Sequence, residues 1–266
     1  MKNKLKIVVA FILGGIVFGG VVALAAIKIQ ANEVGYKNGT VEDALDNLYN
    51  QVSSKKTVCM LLSGTANTIG AKYACNPGDG VIRNFYLLKV DGNNVKLIME
   101  QNLSDTVGSA RTMNHGTALN YLKSGGAGYA TVSAWTNVID VDLPSAQDIA
   151  DAGGITGWNV TTATADNWSY FGTNGNTDSD KGNRTPYAWL YNYTRGCVIN
   201  GACTNEYGES DSSKAYGYWT KDLIQNDASR AWYVHRGGNL ARDAVSYDTD
   251  LGVRPVITIL KSGLSG

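Results

Sequence analysis

Three sets of side chains in this 266-residue chain have the types and spacing to do chemistry. Asn174, Asn176, Asp178 and Asp180 alternate through a glycine-rich stretch, much as calcium loops present oxygen ligands from every second position. The glycine and the distal glutamate that complete such a loop are absent, so the stretch reads as a solvated loop. The second set is the four cysteines, which fall into two local pairs, Cys59 with Cys75 and Cys197 with Cys203. There is no CxxC spacing, and the two histidines, His115 and His235, are far apart, so a metal site is a poor reading. The third set is His235 beside Arg236. No serine or cysteine stands near it in a recognisable nucleophile motif, so His235 reads as an exposed residue available for binding. No catalytic group, metal or cofactor is expected.

The N-terminus decides the compartment. Lys2, Lys4 and Lys6 precede an uncharged run from Ile7 to Ile27, long enough to span a bilayer, which takes about 20 residues. Ala23-Leu24-Ala25 is a small-x-small pattern that suits signal peptidase. Residues 1–27 are therefore a cleaved secretion signal or a retained membrane anchor, and both readings deliver the rest outside the cytoplasm. If the anchor is retained, the preceding lysines keep the N-terminus inside. A pilin-type leader fits poorly, because the first acid is Glu33. In an exported chain an even number of cysteines implies disulfides; the sequence allows three connectivities, and the local one is favoured. With the lysines at 2, 4 and 6 removed from 23 basic residues, 20 face 23 acidic ones, a net charge of −3. That balance gives nucleic acid nothing to bind.

Residues 28–56 read as a helical stalk. Val41, Leu45, Leu48 and Val52 share one helical stripe, Glu42, Asp43, Asp46 and Asn47 face water, and Thr40 caps the start. The stripe is too short for a coiled coil by itself. Residues 57–266 suffice for one core and are few for two, and they read as α+β. Asn84–Val90 and Val95–Met99 flank Asp91-Gly92, a strong hairpin signal. A short helix is predicted over Thr117–Lys123. Another starts at Leu143-Pro144-Ser145, with Ser145 as its cap, Asp148 three residues on, and Gly153-Gly154 as its end. Residues 155–216 lack a regular pattern, yet Trp158, Trp168, Tyr170, Phe171, Tyr187 and Trp189 argue against disorder. Near the C-terminus, Ala231–His235, Asn239–Val245 and Val253–Leu260 read as strands, with Gly237-Gly238 a tight turn and Asp248-Thr249-Asp250 another. Alternation points Trp232 and Val234 one way and Tyr233 and His235 the other. Trp219 and Trp232 are expected in the core.

Gly217-Tyr218-Trp219-Thr220 as a turn, Ala231-Trp232-Tyr233-Val234-His235, and Gly252-Val253-Arg254-Pro255-Val256-Ile257 together resemble the end of a C-type-lectin-like fold. The version is the one found in secreted proteins of Gram-positive bacteria. The "VEDALDNLY" stretch, the Cys75–Asn102 segment and Trp189–Tyr193 are similar to the same family. That fold also hosts formylglycine-generating enzymes and the variable proteins of diversity-generating retroelements. The enzymes' reactive cysteine pair lies in the C-terminal core, whereas no cysteine follows Cys203 here, which argues against that chemistry. The "EPN" and "QPD" sugar-binding triplets of calcium-dependent lectins are absent too. The resemblance implies that Arg254 holds the core together. It also implies a binding surface at Tyr233, His235, Arg236, Asn239, Arg242, Asp243 and Tyr247, with Lys221, Asp222, Gln225, Asn226, Asp227 and Ser246 around it.

These readings imply an extracellular, adhesin-like module for a protein or glycan ligand, of the diversified kind if the retroelement likeness holds. The alternative is a structural surface or filament subunit assembled through its apolar N-terminal helix. An enzyme is not expected.

Overall fold

β-rich runs on either side of an Asp-Gly turn organise the first half of the domain. The computed structural model describes residues 58–106, 109–110, 112–123, 129–173, 181–191, 215–247 and 251–265, all within the compact unit Lys56–Gly266. The apolar segment 1–27, the stalk 28–56, the Asn174–Asp180 loop, the Cys197–Cys203 pair and the Asp248–Asp250 turn lie outside the described residues. Among the described residues no helix is long and apolar enough to cross a membrane.

The domain is α+β, with two principal sheets and short helices. Strands β1 (Cys59–Ser63), β2 (Lys72–Cys75), β3 (Arg83–Asp91) and β4 (Asn94–Met99) run antiparallel in order. Late strand β13 (Val256–Leu260) pairs with β4 and with β7 (Asp140–Asp142), and β14 (Leu264–Ser265) runs parallel beside β1. The seven-stranded order is β14-β1-β2-β3-β4-β13-β7. A disulfide joins Cys59 and Cys75, which face each other across β1 and β2. The hairpin turn is Gly92-Asn93, with Gly92 at φ +57°, where a side chain would be strained. A second sheet has the order β12-β9-β10-β11-β8 and contains β8 (Ser169–Tyr170), β9 (Gly217–Ile224), β10 (Asp227–His235), β11 (Asn239–Ala244) and β12 (Leu251–Gly252). β5 (Ser104–Thr106) and β6 (Ser109–Ala110) make a separate short pair.

Two apolar cores fill the domain, and both sheets contribute to each. Tyr73, Phe85, Leu87, Leu97 and Ile257 join helix α1 (His115–Leu122) and Trp219 in the first. Ile98, Leu88 and Val256 join helix α3 (Ala146–Ala152), Phe171, Tyr218, Trp232 and Val234 in the second. A bulge lets β3 feed both: Leu87 pairs with Leu97, the next pairing is Lys89 with Lys96, and Leu88 turns into the second core. The shift also brings two lysines side by side, an arrangement that repels unless neutralised. Asp148 of α3 neutralises it, 2.6 Å from each ammonium.

That role changes the expected start of α3. Ser145 makes no capping hydrogen bond; the Ala146 N–H donates instead to Asp222 Oδ2 of β9 at 2.6 Å. Asp148 is turned inward, and the two lysines outweigh the effect of burial to hold its carboxyl below the usual range. Asn114 does cap α1 as local chemistry requires, its Oδ1 accepting from Thr117 N–H at 2.8 Å. The short helix α2 is Tyr129–Val132.

Other expectations shift at the C-terminal end. Gly217-Tyr218-Trp219 opens strand β9 and is not a turn. Gly217 is required there because a Cβ would come within 2.1 Å of the Val234 carbonyl oxygen across the ladder. β11 ends at Ala244, and the closing strand begins at Val256, after Pro255, which has no N–H to donate.

The long middle region is ordered by side chains. A 3-10 helix, Lys181–Leu190, and β8 are its described regular pieces, while Trp158, Trp168, Tyr187 and Trp189 lean on the second core. The carbonyls that end this 3-10 helix have no backbone partner in a ladder. Arg254, 1% exposed, supplies them: Nη1 donates to Leu190 O at 2.6 Å, Nη2 to Trp189 O at 2.8 Å, and Nε to Met99 O at 2.5 Å. Replacing Arg254 by Met should therefore cost about 3–5 kcal/mol, because three buried carbonyls each lose a charged donor and that of Leu190 keeps just the Tyr218 hydroxyl. Urea unfolding measures it, and a loss under about 1 kcal/mol would refute the anchoring role.

Candidate functional site

Strand register arranges the sequence-predicted surface residues in space. Tyr233 of β10 faces Trp219 of β9 and Ala241 of β11, while His235 faces Gly217 and Asn239. Directly opposed residues share a sheet face, so Tyr233, His235, Asn239 and, through its pairing with Ala231, Asp243 lie on one side. Trp232 faces Arg242, which puts Arg242 on the other side of the sheet with Val234 and Leu240. The expected alternation of Trp232 and Val234 against Tyr233 and His235 is what β10 adopts.

An aromatic ladder underlies the first face. His115 packs edge-on against Trp219 at 5.4 Å, Trp219 against Tyr233 at 6.0 Å, and Tyr233 against His235 at 6.0 Å. Edge-to-face pairs of this kind add about 0.5–1.5 kcal/mol each beyond simple burial and fix ring orientation. Trp219 is fully buried and donates its indole N–H to Met113 O at 2.8 Å, so the ladder rests on a fixed base. Tyr233 is half-buried. Burial, reinforced by the Asp243 carboxylate, pushes its hydroxyl up to about 12, so it remains a neutral donor at physiological pH.

The turn after β10 carries the polar half of the site. Gly238 sits at φ +72°, and a Cβ there would meet Tyr191 and Arg184 at 2.9–3.0 Å. Arg184, 2% exposed, donates from Nη1 to the Gly237 carbonyl, and its guanidinium stacks 3.9 Å over Tyr170 of neighbouring β8. A buried cation from the 3-10 helix thus locks the turn. His235 Nδ1 lies 3.1 Å from the Gly237 nitrogen, within hydrogen-bond reach. Asn239 Oδ1 lies 3.2 Å from His235 Nδ1. Asn239 is buried and holds His235 in place; it is not surface. Arg236 lies 4.3 Å over the ring of Tyr216, and its N–H donates to Tyr216 O at 2.9 Å.

Of the seven expected residues, Tyr233, His235, Arg236, Asp243 and Tyr247 are half-buried. Asn239 is structural support. Arg242 belongs to the opposite face, and its Nε is buried without a hydrogen-bond partner. Sequence reading missed Arg184, Tyr216, Trp219 as part of the ladder, and His115. The Trp219–Tyr233 pairing follows from register, which the strand pattern hints at. Arg184 gives no local signal, because it lies far along the chain from the turn that it holds. Among the described residues no cluster of three or more His, Cys, Asp or Glu side chains is placed to hold a metal ion.

Compared with known proteins, the chain is matched by no family model, by no curated protein and by no solved structure. The chain folds as an α+β domain with two principal sheets and short helices.

Both histidines give the site a pH signature. Burial is the main cause that holds His115 and His235 below the ordinary imidazole value. The unfolded chain then takes up protons first, so stability is full above about pH 6.5 and falls as the pH drops through that value towards the folded pKa. Replacing His115 by Gln should flatten the dependence of urea stability on pH between about 7 and 5. An unchanged slope would assign the effect to other groups.

Proposed function

We propose that this protein is an extracellular ligand-binding module with a C-type-lectin-like domain, carried to the surface by its N-terminal apolar segment. The residues that would do the binding are Tyr233, His235, Arg236, Asp243 and Tyr247, on the inner strands β10 and β11 of the second sheet and the turns that follow them. One observation carries the reading: half-exposed aromatic and charged groups stand on a rigid, fully buried aromatic and arginine base. Rigid rings with few rotatable bonds and adaptable donors bind at low entropic cost, the composition favoured at recognition surfaces. Tyrosine faces and a guanidinium stacked on a ring suit both a glycan and a protein epitope. The ligand is a protein or glycan outside the cell, and binding needs no metal.

The structure changes which substitution tests this. Tyr233 packs on Trp219, so truncating it to Ala would disturb the fold as well as the surface. Tyr233→Phe, which removes only the hydroxyl, and Arg236→Ala with Asp243→Ala are cleaner. For a ligand found by screening the exported domain on glycan and extracellular-protein arrays, the Arg236/Asp243 double variant should weaken binding about tenfold or more. Thermal unfolding should barely move, because partly exposed substitutions shift stability by about 0.5 kcal/mol. Unaltered binding in the double variant, or binding abolished by a chelator, would move the site elsewhere.

A further inference from the structure

The seven-stranded sheet carries a second constellation that ligand binding does not use. Lys72 of β2, Asn84 of β3 and Glu100, one residue beyond β4, meet on one face of the sheet. Glu100 is 5% exposed. Its Oε1 lies 2.5 Å from Lys72 Nζ and accepts from the Tyr86 hydroxyl at 2.9 Å, while its Oε2 accepts from Asn84 Nδ2 at 2.8 Å. A single buried carboxylate thus holds a primary amine and a carboxamide together. Register accounts for the meeting. Lys72 pairs with Tyr86 and Ala74 with Asn84, so Lys72 and Asn84 are diagonal neighbours on the same face. Such neighbours are roughly 7–8 Å apart at the backbone, a span that a lysine side chain covers.

An ordinary ion pair would need only Lys72 and Glu100. The third member makes the arrangement chemical, because an amine and a carboxamide held on the two oxygens of one carboxylate are an acyl-transfer pair with its acid–base group already in place. The surroundings exclude much of the water: Lys72 Nζ sits 5.7 Å from the Tyr86 ring centroid, and Trp189 packs against that ring at 5.5 Å. Three hydrogen bonds overcome the burial of Glu100 and hold its carboxyl below the usual range, so it rests as the carboxylate.

We propose that Lys72 and Asn84 join in an intramolecular isopeptide bond, with Glu100 as the proton carrier. Glu100 accepts a proton from the Lys72 ammonium, and the freed lone pair on Nζ attacks Cγ of Asn84. The Nζ–Cγ bond forms, Glu100 returns the proton to Nδ2, and the Cγ–Nδ2 bond breaks. The two protons that the lysine loses leave on the departing nitrogen, which is released as ammonium, and the carboxylate is regenerated. No oxidant, nucleotide or metal enters the balance. With Cys59 and Cys75 bridging β1 and β2, the new bond would extend the covalent connection to β3.

Mass determination on the full exported chain, reduced and alkylated, tests this. The wild type should be lighter than its sequence by one ammonia, about 17 Da. Trypsin should fail to cut after Lys72, giving residues 57–83 joined through a side chain to residues 84–89. Lys72→Arg, which keeps a cation on Glu100, and Glu100→Gln should both have full mass. A wild-type chain of full mass that is cut after Lys72 overturns the bond. A cross-link that persists in Glu100→Gln overturns the assignment of the proton carrier.

Discussion

Much of the domain hangs on the need to pair backbone carbonyls where there is no ladder to do it. Residues 155–173 and 181–191 pack against the second core with little regular hydrogen bonding of their own, and buried carbonyls without donors are costly. Arg254 meets two of them, at Trp189 and Leu190, together with Met99 O of β4, and Tyr218 donates its hydroxyl to Leu190 O at 2.8 Å from the neighbouring sheet. The Arg254 guanidinium also lies 5.0 Å from the Tyr218 ring centroid. Removing such a cation leaves a hole and unpaired oxygens together, which is why a charged group is retained in an otherwise apolar core.

Arg184 performs the reciprocal task. It belongs to the loop-rich region and reaches back to the Gly237 carbonyl, so the region that Arg254 anchors in turn anchors the turn bearing His235 and Arg236. The candidate binding surface is therefore as rigid as the 3-10 helix beneath it. Functional surfaces gain precision when their supporting shell is locked in this way. Trp219 and His115 do the same from the first core, through edge-to-face ring contacts.

The bulge at Leu87-Leu88 connects the charged and apolar parts of the fold. It sends adjacent leucines into different cores and aligns Lys89 with Lys96, and Asp148 then fastens α3 to the sheet through both. A residue whose spacing suggests helix capping is consumed by a tertiary ion pair. The capping bond that Ser145 does not make is supplied by Asp222, from a strand far along the chain.

Local chemistry in the sequence determined much of this domain. The Asp-Gly hairpin, the short helices, the glycine turn at 237–238, the strand periodicity around Trp232 and the buried indoles follow from turn propensity and alternation, which act over a few residues. The Cys59–Cys75 bridge follows from cysteine parity and proximity in the chain. What only the tertiary structure decided is partnership over distance. It made Gly217-Tyr218-Trp219 a strand start, because the Val234 carbonyl leaves no room for a side chain. It divided the expected surface, moving Asn239 inside and Arg242 to the opposite face, because register and neighbouring layers fix exposure and the strand's own sequence does not. Arg184 and Glu100 acquired their roles from residues remote in sequence or on other strands, and no local pattern encodes a contact that exists only once the sheets have packed.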